Sequence, residues 1–116
     1  MQITISDFGP ETKRVSLIGK LDIAGAQKIE LPMATVSGAK CNVVIDMVGV
    51  DFIASIGIRH LVIAAKTVAR NSRRLILLSP TPLVTDVLKT SGLQDLLPIA
   101  RSDDEAKTLL TPAENS

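Results

Sequence analysis

The sequence has no tryptophan or tyrosine, only two phenylalanines, and a single cysteine among its 116 residues. Proteins that bind single-stranded nucleic acids commonly stack bases on several aromatic side chains, so this composition argues against that mode of action. The lone thiol, Cys41, has no second cysteine in the chain with which to form a disulfide. We interpret Cys41 as a small apolar residue at the entrance to a strand.

The chain also lacks an excess of either charge, because 13 basic and 12 acidic residues leave a formal net charge of +1. Proteins that bind a nucleic-acid backbone usually carry a clustered basic excess. The densest basic patch, at residues 70–74, lies between a predicted helix and a predicted strand, and we interpret it as a solvated loop. We therefore expect no nucleic-acid partner.

Long apolar runs are missing as well. No apolar stretch approaches the roughly 20 residues that a membrane-spanning helix needs, and no signal-peptide pattern is present. From these absences we expect a cytoplasmic protein that does not insert into membranes. We also expect the chain to be monomeric when it is alone.

Catalytic and metal-binding groups are sparse. The single histidine, His60, lies five positions after Ser55, which places the two on different faces of a helix. Without a second histidine or a cysteine pair, a metal site lacks ligands. Asp22, Asp46 and Asp51 fall at predicted strand ends or loops that could share one rim, where we interpret them as helix caps and hydrogen-bond acceptors. We therefore expect neither an enzyme nor a cofactor.

What the sequence does contain is a hydrophobic content of 46%, enough for the core of one ordinary domain. Alternation and apolar runs predict strands at residues 1–8, 14–19, 42–47, 74–78 and 97–100. Helical spacing predicts helices at about 23–36, 56–70, 82–90 and 102–110. The first is capped by Asp22 and kinked or split by Pro32, and the third is capped by Thr81 with Pro82 as its first residue. Residues 111–116 are predicted to be a flexible tail.

This order of elements predicts the fold class. Two strands joined by a short turn form an antiparallel hairpin, and the helix–strand units that follow favour parallel pairing. We therefore predict a single α/β domain over residues 1–110, with a mixed sheet, parallel central strands and about four helices.

Ser55 lies at the junction between the third strand and the second helix, where we predict that it is the helix N-cap. Free backbone N–H groups and the positive end of the helix dipole make such a place suitable for a phosphate group. On the pattern alone, two interpretations stay open: Ser55 is a phosphate site, or it is only a cap.

The segment around Ser55 resembles the signature of STAS domains, and more closely that of the bacterial anti-sigma factor antagonists. Their pattern is a hydrophobic strand ending in Asp, a short loop, and then Phe-x-Asp-Ser-(Ser/Thr)-Gly-(Leu/Ile). Phe52, Ser55, Gly57 and Ile58 match this pattern, and the run Val44-Ile45-Asp46 matches its hydrophobic strand with Asp. The resemblance extends upstream to residues 19–22 and so covers nearly the whole chain.

Two positions depart from that signature. Ala54 stands where the family has Asp, and Ile56 stands where it has a second hydroxyl residue. Loss of the Asp favours an alternative function, in which the chain is an accessory subunit of a lipid-transport ATPase or a sensory assembly and Ser55 is never phosphorylated. Whether Ile56 meets a partner or turns into the core stays open.

The resemblance implies a function as well as a fold. It implies that Ser55 is phosphorylated by an anti-sigma factor that is itself a serine kinase, and that a PP2C-type phosphatase removes the phosphate. It also implies that the unphosphorylated chain binds this kinase and frees a sigma factor. The residues expected at the partner surface are Asp22, Ala54, Ser55, Ile56, Gly57 and Arg59.

Overall fold

The computed structural model describes residues 1–110, which form five strands and four helices. The strands are β1 (Gln2–Gly9), β2 (Thr12–Leu21), β3 (Asn42–Ile53), β4 (Leu75–Leu78) and β5 (Ile99–Ala100). The helices are α1 (Ile23–Ser37), α2 (Ser55–Arg70), α3 (Pro82–Thr90) and α4 (Asp103–Leu110). The predicted α/β domain is confirmed.

The five strands form one mixed sheet in the order β1-β2-β3-β4-β5. β1 and β2 are antiparallel and form the predicted hairpin, in which Ile3 pairs with Leu17. The pairs β2–β3, β3–β4 and β4–β5 are all parallel, and α1, α2 and α3 connect them in turn. Such helical crossovers bring each strand back to the same end of the sheet, so the carboxyl ends of the parallel strands share one edge.

The two faces of the sheet are covered unequally. Val43 and Ile45 of β3 belong to the larger core, which packs under α1, α2 and α3. Val44, which points the other way, belongs to a smaller core with Ala106 of α4. Both cores consist almost entirely of Ile, Leu, Val, Ala and Met, as the scarcity of aromatic residues requires.

β3 is longer than the sequence predicts. We expected it to end at Met47 and to be followed by a loop, but it runs on to Ile53, which pairs with Leu21 of β2. Two irregularities each give β3 one residue more than β2, between Ser16 and Ile18 and between Gly19 and Lys20 of β2. The loop prediction is wrong because β2 continues to offer hydrogen-bond partners where local strand propensity is weak.

α1 runs without interruption through Pro32. Splitting at this proline was one predicted outcome, and it is wrong. A proline inside a helix costs about 3 kcal/mol or more because it removes a hydrogen bond and crowds the preceding turn. Ala26 and Ile29 before it, and Met33 and Val36 after it, are all buried in the fold. Packing of both halves on the sheet therefore outweighs the local cost.

The remaining boundaries agree closely with the sequence. Thr81 is the N-cap of α3, since its hydroxyl accepts a hydrogen bond from the Val84 N–H at 3.4 Å, and Pro82 begins the helix. β5 is a two-residue edge strand that follows Pro98, shorter than predicted. The predicted tail at 111–116 lies outside the described residues. None of the four helices is long and apolar enough to cross a membrane.

Candidate functional site

The candidate site lies where β2 and β3 end side by side. Leu21 and Ile53 are paired at the last position of these parallel strands, and α1 and α2 begin directly after them. The Ala54 N–H donates a hydrogen bond to the Leu21 carbonyl oxygen at 3.0 Å. Asp22 follows Leu21, and Ser55 follows Ala54, so both residues stand at the same edge of the sheet. We call Asp22, Ala54, Ser55, Ile56 and Arg59 the Ser55 rim.

Ser55 is the first residue of α2 and not its N-cap, so this part of the prediction is wrong. Ala54 is the N-cap, with extended backbone angles (φ −96°, ψ 169°), and its carbonyl oxygen accepts from the Ile58 N–H at 3.1 Å. The bond from Ala54 to Leu21 holds that extended conformation without help from a side chain. No residue among 1–110 hydrogen bonds to the Ser55 hydroxyl, and Ser55 is exposed.

The N-terminus of α2 has no negatively charged or capping side chain in its first turn. The first backbone N–H groups of a helix have no acceptor within the helix. The family signature has Asp at position 54. Because this chain has Ala54, the start of α2 lacks that negative charge. A negatively charged group on Ser55 would therefore meet the positive end of the helix without a competing carboxylate in that turn.

Gly57 supports the site from beneath. It is buried, and a Cβ added to it would stand 2.7 Å from both Cγ and the carbonyl oxygen of Leu21. Only a residue without a side chain lets the first turn of α2 approach the end of β2 so closely. Gly57 therefore positions Ser55, and it offers no exposed surface to a partner.

Asp22 is the N-cap of α1, as predicted. Its Oδ1 accepts a hydrogen bond from the Gly25 N–H at 2.8 Å, and its backbone is extended. The side chain is half-buried, so the cap fixes a carboxylate at the Ser55 rim. The negative charge at the rim thus lies on α1 and not on α2.

The apolar and basic residues near Ser55 differ in exposure. Ile56 is half-buried, which leaves both of its interpretations open, and Arg59 is exposed one turn after Ser55. Phe52, the aromatic residue of the matched segment, is 41% exposed at the end of β3. The Lys20 Nζ lies 6.0 Å from the centre of its ring.

The three carboxylates considered as a possible group do not come together. Asp46 lies within β3, not at its end, and its Oδ2 is 3.1 Å from Nη1 of Arg14. Arg14 also pairs with Asp103 of α4, at 2.8 Å. Asp51 is exposed at the second irregularity of β3, and Asp22 caps α1. The described residues include no group of three or more His, Cys, Asp or Glu that could hold a metal ion.

One part of the surface was not anticipated. A groove runs between α1 and α2, lined by Glu30, Met33, Ala34 and Ser37 of α1 and by His60, Ile63, Ala64 and Thr67 of α2. The sequence holds a signal for it, since positions 60, 63, 64 and 67 recur at helical spacing. His60, which the sequence places on a different helix face from Ser55, is part of this lining.

The sequence matches a known protein family. A family model of the STAS domain matches residues 8–106. A protein of Bordetella bronchiseptica named as a candidate anti-sigma factor antagonist, BtrV, is 31% identical over 91 residues, which are 78% of each chain.

Solved structures share the fold. An anti-sigma factor antagonist from Mycobacterium paratuberculosis superposes with a TM-score of 0.83 at 21% identity, covering 94% of this chain and 92% of its own. The anti-sigma factor antagonist SpoIIAA in its unphosphorylated form gives 0.76 at 21% identity, covering 93% and 96%. The Bacillus cell fate determinant SpoIIAA in its phosphorylated form gives 0.72 at 20% identity, covering 93% and 99%.

Proposed function

This chain belongs to the STAS domain family, and from that premise we propose that it is an anti-sigma factor antagonist controlled by phosphorylation of Ser55. In its unphosphorylated form it binds, in the cytoplasm, an anti-sigma factor that is itself a serine kinase, and this binding frees a sigma factor. The observation that carries the proposal is an exposed serine in the first turn of a helix without a capping side chain, at the same edge of the sheet as Asp22.

The switching step is a phosphoryl transfer. The Ser55 hydroxyl oxygen forms a bond to the γ-phosphorus of ATP, the bond from that phosphorus to the ADP oxygen breaks, and the hydroxyl proton is released. The product carries about −1.5 to −2 charge at neutral pH. A PP2C-type phosphatase restores the hydroxyl by transferring the phosphoryl group to water, which releases inorganic phosphate.

The added charge acts on binding more than on folding. Because Ser55 is exposed, its phosphate stays hydrated in the free chain, where the N-terminus of α2 also favours it. Burying the same phosphate in an interface without a paired cation costs several kcal/mol, enough to release the partner. SpoIIAA, which has the same fold, has been solved in both phosphorylation states, and this supports a switch that leaves the architecture intact.

A second candidate function rests on Ala54 and Ile56, the two departures from the family signature. In that alternative the chain is a STAS accessory subunit of a lipid-transport ATPase or a sensory assembly, and no kinase modifies Ser55. The two functions differ in one observable property, namely whether a cognate kinase adds phosphate.

The test is phosphorylation in vitro. The purified serine-kinase anti-sigma factors of the source organism are each incubated with ATP and the chain, and mass spectrometry locates the modification. We expect one phosphate on Ser55, none on Ser55→Ala, and an unchanged result for Ser91→Ala, which removes another exposed serine. Phosphate only at another residue, or none with a kinase that binds the chain, would contradict the proposal.

A further inference from the structure

The exposed side of α2 carries two parallel rows of residues. Residues three, four and seven apart share a helix face, so Ile56, His60, Ile63 and Thr67 form one row, which borders the groove beside α1. The second row starts at Ser55 and continues with the basic residues Arg59, Lys66 and Arg70. The first row alternates isoleucine with His60 and Thr67, and we call it the apolar row for Ile56 and Ile63. The second row carries three positive charges.

The basic row is not neutralised within its own helix. α2 contains no Asp or Glu, and within the part of the chain that the structure describes, Arg59, Lys66 and Arg70 form no ion pair. Arg70 makes one polar contact, from Nη2 to the Thr67 hydroxyl at 3.3 Å. Three cations in succession along an exposed face suit a surface of opposite charge.

The groove beside the apolar row has a volume of about 280 Å³. Ile63 is 54% exposed at its mouth, although it is a large aliphatic residue. Ser37, another residue of its lining, is only 2% exposed, and its hydroxyl is the buried side-chain polar atom without a hydrogen-bond partner among residues 1–110. The groove wall therefore combines an exposed aliphatic side chain with a buried hydroxyl that has no partner among the described residues.

The groove approaches the Ser55 rim along α2, because Ile56 of the rim lies one helical turn before His60 of the groove lining. Ile56, the first residue of the apolar row, belongs to the rim itself. On the facing helix, Ile23 begins α1 next to Asp22, is 67% exposed, and lies two turns before Glu30 on the same side of α1. A partner that covers Ser55 can therefore extend along the groove without leaving the surface.

We propose that the α1–α2 groove receives an amphipathic helix of the anti-sigma factor, with its apolar side against Ile56 and Ile63 and with acidic residues along Arg59, Lys66 and Arg70. This inference rests on the proposed function and adds the chemistry of the partner. A helix is the occupant that fits a groove between two neighbouring helices, because its side chains repeat at the same spacing as the row it meets. The sign of the flanking charge follows from the basic row.

This arrangement gives phosphorylation a second effect. A phosphate on Ser55 stands at the head of the basic row, one turn from Arg59. It therefore repels the acidic side of the docked helix and competes for the same guanidinium. Release of the partner then depends on the repulsion between the phosphate and the acidic side of the docked helix, as well as on the volume of the phosphate at the Ser55 rim.

The test compares Ile63→Asp with Leu83→Asp, a matched control because both side chains are 54% exposed and Leu83 lies on α3, away from the groove. Binding to each purified serine-kinase anti-sigma factor of the source organism is measured by calorimetry, and folding by thermal melting. We expect Ile63→Asp to bind about tenfold or more weakly and Leu83→Asp to stay within about twofold of wild type.

A second set of variants tests the basic row directly and does not depend on the folding of Ile63→Asp. The double variant Lys66→Glu/Arg70→Glu alters only exposed side chains, and Lys89→Glu on α3 is its control. We expect the double variant to bind about tenfold more weakly, with a shallower dependence on salt. If wild type binds a kinase and these folded variants bind it equally well, the groove proposal is overturned and the Ser55 rim stands. If wild type binds none of the kinases, the proposed function fails, and the groove proposal fails with it.

Discussion

Gly57 lies directly against Leu21, close enough that a Cβ on Gly57 would stand 2.7 Å from both the side chain and the carbonyl oxygen of Leu21. The same carbonyl oxygen accepts the hydrogen bond from Ala54. Leu21, the last residue of β2, thus contacts both Ala54 and Gly57 at the start of α2. Ser55, which lies between Ala54 and Gly57, is placed by these two contacts.

Gly57→Ala should destabilise the fold by about 1–3 kcal/mol, because the new methyl group overlaps the end of β2. Helix propensity alone predicts the opposite sign, since Ala is favoured over Gly by about 1 kcal/mol in a helix. Urea unfolding therefore distinguishes the two effects. Gly9→Ala is the control, since no atom lies within 4 Å of the position of its Cβ. A Gly57→Ala variant as stable as wild type would show that the contact with Leu21 relaxes freely.

Asp22→Ala and Ser55→Ala should differ in stability. Asp22 caps α1 through its hydrogen bond from Gly25, and loss of an N-cap costs about 0.5–2 kcal/mol. Ser55 caps nothing, so its replacement should change the free energy of unfolding by no more than about 0.5 kcal/mol, as for most surface substitutions. Chemical denaturation of both variants measures this. An equal loss in the two would restore Ser55 as a cap.

Ser55→Asp should remain folded and bind the kinase more weakly than wild type, whereas Ser55→Ala should bind it constitutively. The reason is that a carboxylate mimics part of the phosphate charge in an interface that excludes water. Calorimetric titration in the presence of ATP compares the three proteins. Equal affinities for Ser55→Asp and wild type would argue against electrostatic exclusion.

Ile56→Ser should weaken kinase binding with little change in melting temperature. Ile56 is half-buried in the free chain, and full burial of such a side chain at an interface is worth about 1.5–3 kcal/mol. Paired melting and binding measurements separate this from a core role. A large fall in melting temperature with unchanged affinity would place Ile56 in the core and remove it from the interface.

Glu11, in the turn between β1 and β2, should titrate at a lower pH than an ordinary glutamate. A hydrogen bond and charge attraction from Arg73, 3.0 Å away, lower the pKa of its carboxyl. A lowered pKa in the folded state means that this contribution to stability is present above the unfolded pKa and is lost as the pH falls through the folded pKa. NMR titration should show the Glu11 pKa rising to its ordinary value in Arg73→Gln. An unshifted Glu11 in wild type would mean that solvent screens the pair.

The sequence predicts the elements of this fold well wherever local chemistry decides them. Asp22 and Thr81 are caps because their side chains suit that role, and both were placed correctly. β3 beyond Met47 could not be read from local pattern, because its pairing depends on β2, which lies some 30 positions earlier in the chain. The cap of α2 was misassigned for the same kind of reason: Ala54 is held by a backbone bond to Leu21 that no spacing rule reveals.

The site itself was identified from a segment of sequence, but its surroundings were not. The matched segment located Ser55, Gly57 and the departures at Ala54 and Ile56. It gave no indication that Gly57 would be buried or that α1 would supply the facing wall of a groove. Those features depend on how two helices pack side by side on the sheet, which is a tertiary property.

The placement of α4 has a practical consequence for assay design. α4 packs on the face of the sheet opposite α1 and α2, and Leu110 lies near Phe8, Thr12 and Asn42, where β2 and β3 begin. The Ser55 rim lies where those strands end. A fluorophore, affinity tag or sensor surface attached at Leu110 would therefore lie at the end of the described domain that is far from the Ser55 rim. Immobilised in that orientation, the protein would present Ser55 and the groove to a kinase in solution.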